Sequence, residues 1–141
     1  MPMGPGPIAF AAFVGVKFIG YTAAAKLLQR TYEAPQVKVL KVGSARTALG
    51  VAAGLAYGVV WMFAMRNIDV GLSPPMLSYF LGLVPIRMGE WSLILWLFFD
   101  RKDPDWTRLL IFAGLGSLWS YVLDALGIGA ALVIPGGIWV C

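Results

Sequence analysis

Apolar and polar positions along this chain come in blocks. Apolar runs cover about 7–28, 46–65, 74–99 and 107–128, with short polar stretches between them. A helix needs about 20 apolar residues to cross the hydrocarbon core of a bilayer. The pattern therefore predicts an all-α, polytopic membrane helix bundle with four transmembrane helices, residues 1–141 forming a single integral membrane domain. Ser73-Pro74 places a hydroxyl cap ahead of a proline at the start of the third helix. Asp103-Pro104-Asp105 repeats the device for the fourth, with acidic groups at the positive end of the helix dipole. Trp61, Trp106 and Trp139 fall near the expected interfaces, where an indole can be half wet. The tail 129–141 is apolar but short and broken by Pro135-Gly136-Gly137. It reads as an interfacial or re-entrant segment packed on the bundle.

Composition supports lipid as part of the solvent. The chain is 60% hydrophobic and 13% charged, with a mean hydropathy of +0.79. A soluble domain would be roughly 45–50% apolar and about a quarter charged. The N-terminal "MPMGPGPIAF" has no basic leader, so the first apolar run reads as retained. Lys26, Arg30, Lys38, Lys41 and Arg46 crowd the first connection against Glu33 alone, and Arg101, Lys102 and Arg108 mark the third; the second has only Arg66. Lysine and arginine stay preferentially on the cytoplasmic side. Loops 29–45 and 100–106 are thus expected to be cytoplasmic and both termini non-cytoplasmic, in the cell (inner) membrane. "VKVLKV" at 37–42 alternates basic and apolar residues and reads as an ordinary positive-inside loop with strand propensity; its other reading is a contact with anionic headgroups.

Charge and residue types narrow the chemistry. The formal net charge is +4, but the basic residues gather in connections, away from any interleaved aromatic surface, so no nucleic-acid partner is expected. There is no histidine, and the only cysteine is Cys141. No metal site, cofactor or intrachain disulfide is anticipated from such a set.

Helix packing has one sequence signal. Gly50, Gly54 and Gly58 recur every four residues and put a small-residue face on the second helix, with Ala11 and Gly15 as a weaker patch on the first. Such faces allow close helix approach, within one chain or between chains.

Four ionisable residues fall inside the predicted crossings: Lys17, Arg87, Glu90 and Asp124. Two are basic and two acidic, so the set is formally neutral. A lone charge at the bilayer centre costs about 2.5–3.5 kcal/mol on insertion scales, which pairing offsets. Arg87 and Glu90 are three apart on one helix and predict mutual pairing near mid-depth, one turn from the kink expected at Pro85. Lys17 calls for an acidic partner or water. Ser117, Ser120 and Tyr121 precede Asp124 by seven, four and three residues, giving a polar stripe on the fourth helix.

Two functions fit this intramembrane polar network. A non-catalytic accessory or assembly subunit of a larger membrane complex would use glycine-face packing and a buried charge lock. A small oligomeric transporter or channel for protons, ions or a small polar solute would use Arg87 and Glu90. An intramembrane enzyme is the weakest reading, since no acid pair at catalytic spacing and no phosphate-binding glycine loop is visible. The partners expected are the lipid bilayer and either other membrane subunits or further copies of the chain.

Overall fold

The computed structural model describes residues 7–67, 75–101 and 104–133. Four helices account for nearly all of them: α1 (Pro7–Thr31), α2 (Val39–Asn67), α3 (Pro75–Phe98) and α4 (Trp106–Val133). All four are long and apolar enough to cross a membrane. The cap expected at Ser73-Pro74, most of the tail, Trp139 and Cys141 lie outside the described residues; residues 129–133 continue α4.

Local chemistry explains the boundaries. α1 ends in a Schellman turn: Ala34 N donates to Gln29 O (3.0 Å) and Glu33 N to Arg30 O (3.2 Å). Glu33 takes the left-handed position at φ 49°, which costs a non-glycine residue about 1–2 kcal/mol. Gln29 Nε2 then donates to Val37 O (2.8 Å) and Pro35 O (3.2 Å), holding the connection tight. At α4 the cap is Asp105, whose Oδ1 accepts from Thr107 N and Arg108 N, both at 3.1 Å. Pro104 therefore precedes the cap instead of occupying the first helical position. Asp105 N is itself held by Asp100 Oδ2 at 3.2 Å.

One boundary corrects the sequence reading. α2 begins at Val39, not near residue 46, so most of "VKVLKV" is helical. Val42 and Arg46, four apart, turn inward at 1% exposure each, while Leu40, Lys41 and Ser44 face outward. A period of two was read where 3.6 applies.

The helices form a ring in which α1 packs on α2 and α4, and α3 on α2 and α4. Side-chain pairs run in opposite senses along neighbours, as in Lys17–Asp124 followed by Tyr21–Ser120, so adjacent helices are antiparallel. The apolar core lies towards the end carrying the first and third connections. Tyr21, Leu28, Trp91, Leu95, Leu109, Ala113 and Leu123 form its centre, with Ala25, Val42 and Ile94 beside it. Glycines bring the helices together here. A Cβ on Gly116 would collide with the Trp91 indole, and one on Gly20 with Leu123. Towards the opposite end Tyr57, Trp61, Tyr79, Phe80 and Tyr121 make a chain of ring contacts between α2, α3 and α4. Between these apolar and aromatic regions lies the charged interior.

Candidate functional site

The interior holds five buried ionisable side chains drawn from all four helices: Lys17, Arg46, Arg87, Glu90 and Asp124. They form two layers about one helical turn apart. In the first, Arg46 Nη2 lies 2.7 Å from Glu90 Oε2, joining α2 to α3. Arg46 enters from seven residues inside α2, roughly 10 Å along the axis at 1.5 Å per residue. Its guanidinium carbon sits 4.7 Å from the Tyr21 ring centroid and 5.0 Å from that of Trp91. Such stacking is worth about 2 kcal/mol or more when desolvated. Ser120 completes the layer from α4. Its Oγ donates to Gly116 O (3.0 Å) and accepts from Trp91 Nε1 (3.0 Å), Tyr21 OH (3.3 Å) and Arg46 Nη2 (3.4 Å).

The second layer centres on Asp124. Lys17 Nζ lies 2.5 Å from Asp124 Oδ1, an ion pair that joins α1 to α4. Arg87 Nη2 donates to Asp124 Oδ2. Lys17 Nζ also lies 5.0 Å from the Phe13 ring and 5.8 Å from Tyr21, and Arg87 packs over Tyr121 at 4.1 Å. Tyr121 OH donates to Phe80 O (2.8 Å), and Tyr57 OH to Tyr79 O (3.1 Å). Both carbonyls lie just N-terminal to that of Leu81, the one that Pro85 leaves without its helical donor. Ser117 donates to Ala113 O on its own helix at 2.8 Å.

These contacts change two expectations. Arg87 and Glu90 were predicted to neutralise each other along α3, but each has an ion-pair partner on another helix: Asp124 for Arg87 and Arg46 for Glu90. Cross-helix pairing wins because three positive groups share two carboxylates, and spreading the acids lets each cation reach one. Arg46 is the member the sequence reading missed, having been assigned to a loop. With it the buried set is no longer neutral: three cations against two anions leave a formal +1 among the described residues. The signal was available in the i, i+4 spacing of Val42, Arg46 and Gly50.

The glycine face on α2 also divides. Gly50 makes room for Arg46, since a Cβ there would stand 2.9 Å from Nη1. Gly54 is buried within the bundle. At Gly58 a Cβ would meet nothing within 4 Å, and the same is true of Gly15 on α1. Two clefts open on the bundle surface. One, of about 440 Å³, lies between α1 and α4 with Leu27, Leu28, Phe112 and Trp119 in its walls and Trp91 at its floor. The other, between α1 and α2, is lined by Phe10, Val14, Phe18 and Val51 among others. Both are apolar.

Four membrane-length helices with outward apolar surfaces and inward charges define a small polytopic helical membrane protein. No protein-family model matches the chain, and neither the curated proteins nor the solved structures contain a significant match to it.

Proposed function

We propose that the chain is a non-catalytic accessory or assembly subunit of a larger membrane complex, with α2 as the helix that meets its partner. The observation that carries this reading is the uneven covering of the helices. In α2 only 11% of the membrane-span window is buried, against 33% in each of the other three. Leu55, Val59, Val60, Met62 and Phe63 are all exposed, and the backbone at Gly58 stands open beside them. Without a hydrophobic force between helices in lipid, close backbone approach at small residues drives association. The ion pairs supply the rigidity such a subunit needs, since together they tie all four helices to one another. The connections 29–45 and 100–106 face the cytoplasm and the termini the other side in this reading.

The experiment is purification in mild detergent with native mass spectrometry, comparing wild type with Gly58→Ile. A complex with another membrane subunit that the variant loses while staying folded supports the reading. A monomer under all conditions refutes it. The second reading, a small transporter or channel, draws support from the charged side chains that all four helices bury at one level of the bundle. Flux across vesicles that Glu90→Gln abolishes without unfolding the chain would favour it.

A further inference from the structure

The cleft of about 440 Å³ between α1 and α4 is a slot with two unlike ends. Its walls are apolar along most of their length, and the buried Trp91 forms the floor. Trp119 stands at the inner end, fixed by its Nε1, which donates to Gly20 O across the helices at 3.0 Å. The outer end reaches Thr31, beside Arg108. Arg108 Nη2 donates to Thr31 O at 2.7 Å. Its guanidinium carbon lies 4.1 Å from the Tyr32 ring centroid and 6.0 Å from that of Phe112, another wall residue. The fork is thus held in place at the mouth.

Length distinguishes the occupants that could fill such a slot. Trp119 follows Arg108 by eleven residues, about 16 Å along α4 at 1.5 Å per residue. Half of a hydrocarbon core of about 30 Å is about 15 Å, so the slot is one leaflet deep. Among the described residues, none of α1 before Ala23 and none of α4 beyond Trp119 lines it. A partner helix would cross both leaflets and call for a groove that continues; an acyl chain ends where this one does. Charge then selects the headgroup. Arg108 has five N–H donors, and the described residues accept from one of them. Asp100 and Asp105 are near, but their carboxylates accept from backbone N–H groups at the start of α4, and neither forms an ion pair with Arg108. Arg30, three residues after Leu27 and so on a neighbouring helix position, is exposed on the opposite rim. Trp106, exposed two residues before Arg108, marks the interfacial level. An arginine fork fits phosphate oxygens two at a time.

We propose that the α1–α4 cleft binds one anionic glycerophospholipid from the leaflet on the side of the first and third connections. An acyl chain lies in the slot against Trp91 and Trp119, and the phosphate sits on Arg108 and Arg30. Basic pockets between membrane helices take anionic headgroups in this way. The site does not depend on the accessory-subunit reading, because α2 contributes nothing to it.

The test uses the full chain in dodecylmaltoside micelles, with phosphatidylglycerol or phosphatidylcholine of the same acyl chains at equal mole fraction. Phosphatidylglycerol should raise the thermal midpoint saturably, by several degrees more than phosphatidylcholine, as expected of a ligand well above its dissociation constant. Inorganic phosphate alone should give no rise. The Arg30→Gln/Arg108→Gln double variant should bring the two lipids level. Ala23→Phe, which fills the slot from an exposed wall position, should remove the rise. Equal rises for the two lipids in wild type would overturn the proposal, as would a preference kept by the double variant or a rise kept by Ala23→Phe. A second measurement needs no variant that could misfold. Phosphatidylglycerol brominated on its chains should quench tryptophan emission saturably at one lipid per chain, at a mole fraction where brominated phosphatidylcholine quenches several-fold less. Equal quenching by the two refutes the site. So does a co-purifying subunit that shields the emission from brominated lipid, since the cleft is then a protein interface.

Discussion

Asp124 is the carboxylate on which the second charged layer turns, and its removal gives the sharpest test of the network. At 2% exposure it faces Lys17 from α1 and Arg87 from α3. Asp124→Asn keeps the volume and one acceptor oxygen but withdraws the negative charge from two buried cations. Breaking a single buried pair by removing one partner costs about 3–5 kcal/mol, because the other charge stays buried without compensation. Here two buried cations lose their carboxylate at once, so the loss should reach that range, against a total stability of about 5–15 kcal/mol. Lys17→Met should behave oppositely although it breaks the same ion pair. It leaves Arg87 with Asp124 and places an apolar chain against Phe13 and Tyr21, so the expected change is within about 1 kcal/mol and of either sign. Reversible unfolding in mixed micelles, followed by far-ultraviolet circular dichroism, measures both. The Lys17→Met/Asp124→Asn double variant should recover part of the Asp124→Asn loss, since coupled neighbours are not additive. Equal costs for the two single variants, or an Asp124→Asn protein as stable as wild type, would refute the charge accounting.

Other expectations follow from packing and from one group at the edge of the bundle. Gly116→Ala drives a methyl into the Trp91 ring and strains its bond to Ser120, an overpacking cost of about 1–3 kcal/mol, while Gly15→Ala has open space and should be tolerated; thermal melts of the pair give the comparison. Tyr32, just past α1, has its pKa raised chiefly by burial, with Asp100 and Asp105 adding to the rise and Arg108 opposing it. Because the folded value lies above the unfolded one, the stability tied to the neutral phenol is complete below about pH 10 and is lost as pH climbs through the folded pKa. Absorbance titration should show this tyrosine ionising late, and later still in Arg108→Gln. Its hydroxyl is buried without a hydrogen-bond partner, so Tyr32→Phe should melt no lower than wild type at neutral pH.

The parts of this architecture legible in sequence are those set by a helix meeting lipid. Four apolar runs suffice to announce four spans, because hydrocarbon leaves a backbone few other ways to satisfy its polar groups. Burial inside the bundle is a different matter. Lys17 and Asp124 could be recognised as charges needing partners, yet nothing along the chain says which helix supplies them. Arg87 and Glu90 show the limit: neighbours at i, i+3 have the spacing to pair, but each carries an ion-pair partner on another helix. Arg46 shows a second limit. Counting lysine and arginine near span ends is a rule about loops, and it absorbed an arginine whose i, i+4 relation to Val42 belonged to a helix interior. The two misreadings are one. Once the first charged turn of α2 is taken as loop, the interior counts as neutral and Arg87–Glu90 becomes the natural pair. Restoring Arg46 to α2 gives Glu90 a partner on another helix and leaves Asp124 to bridge Lys17 and Arg87.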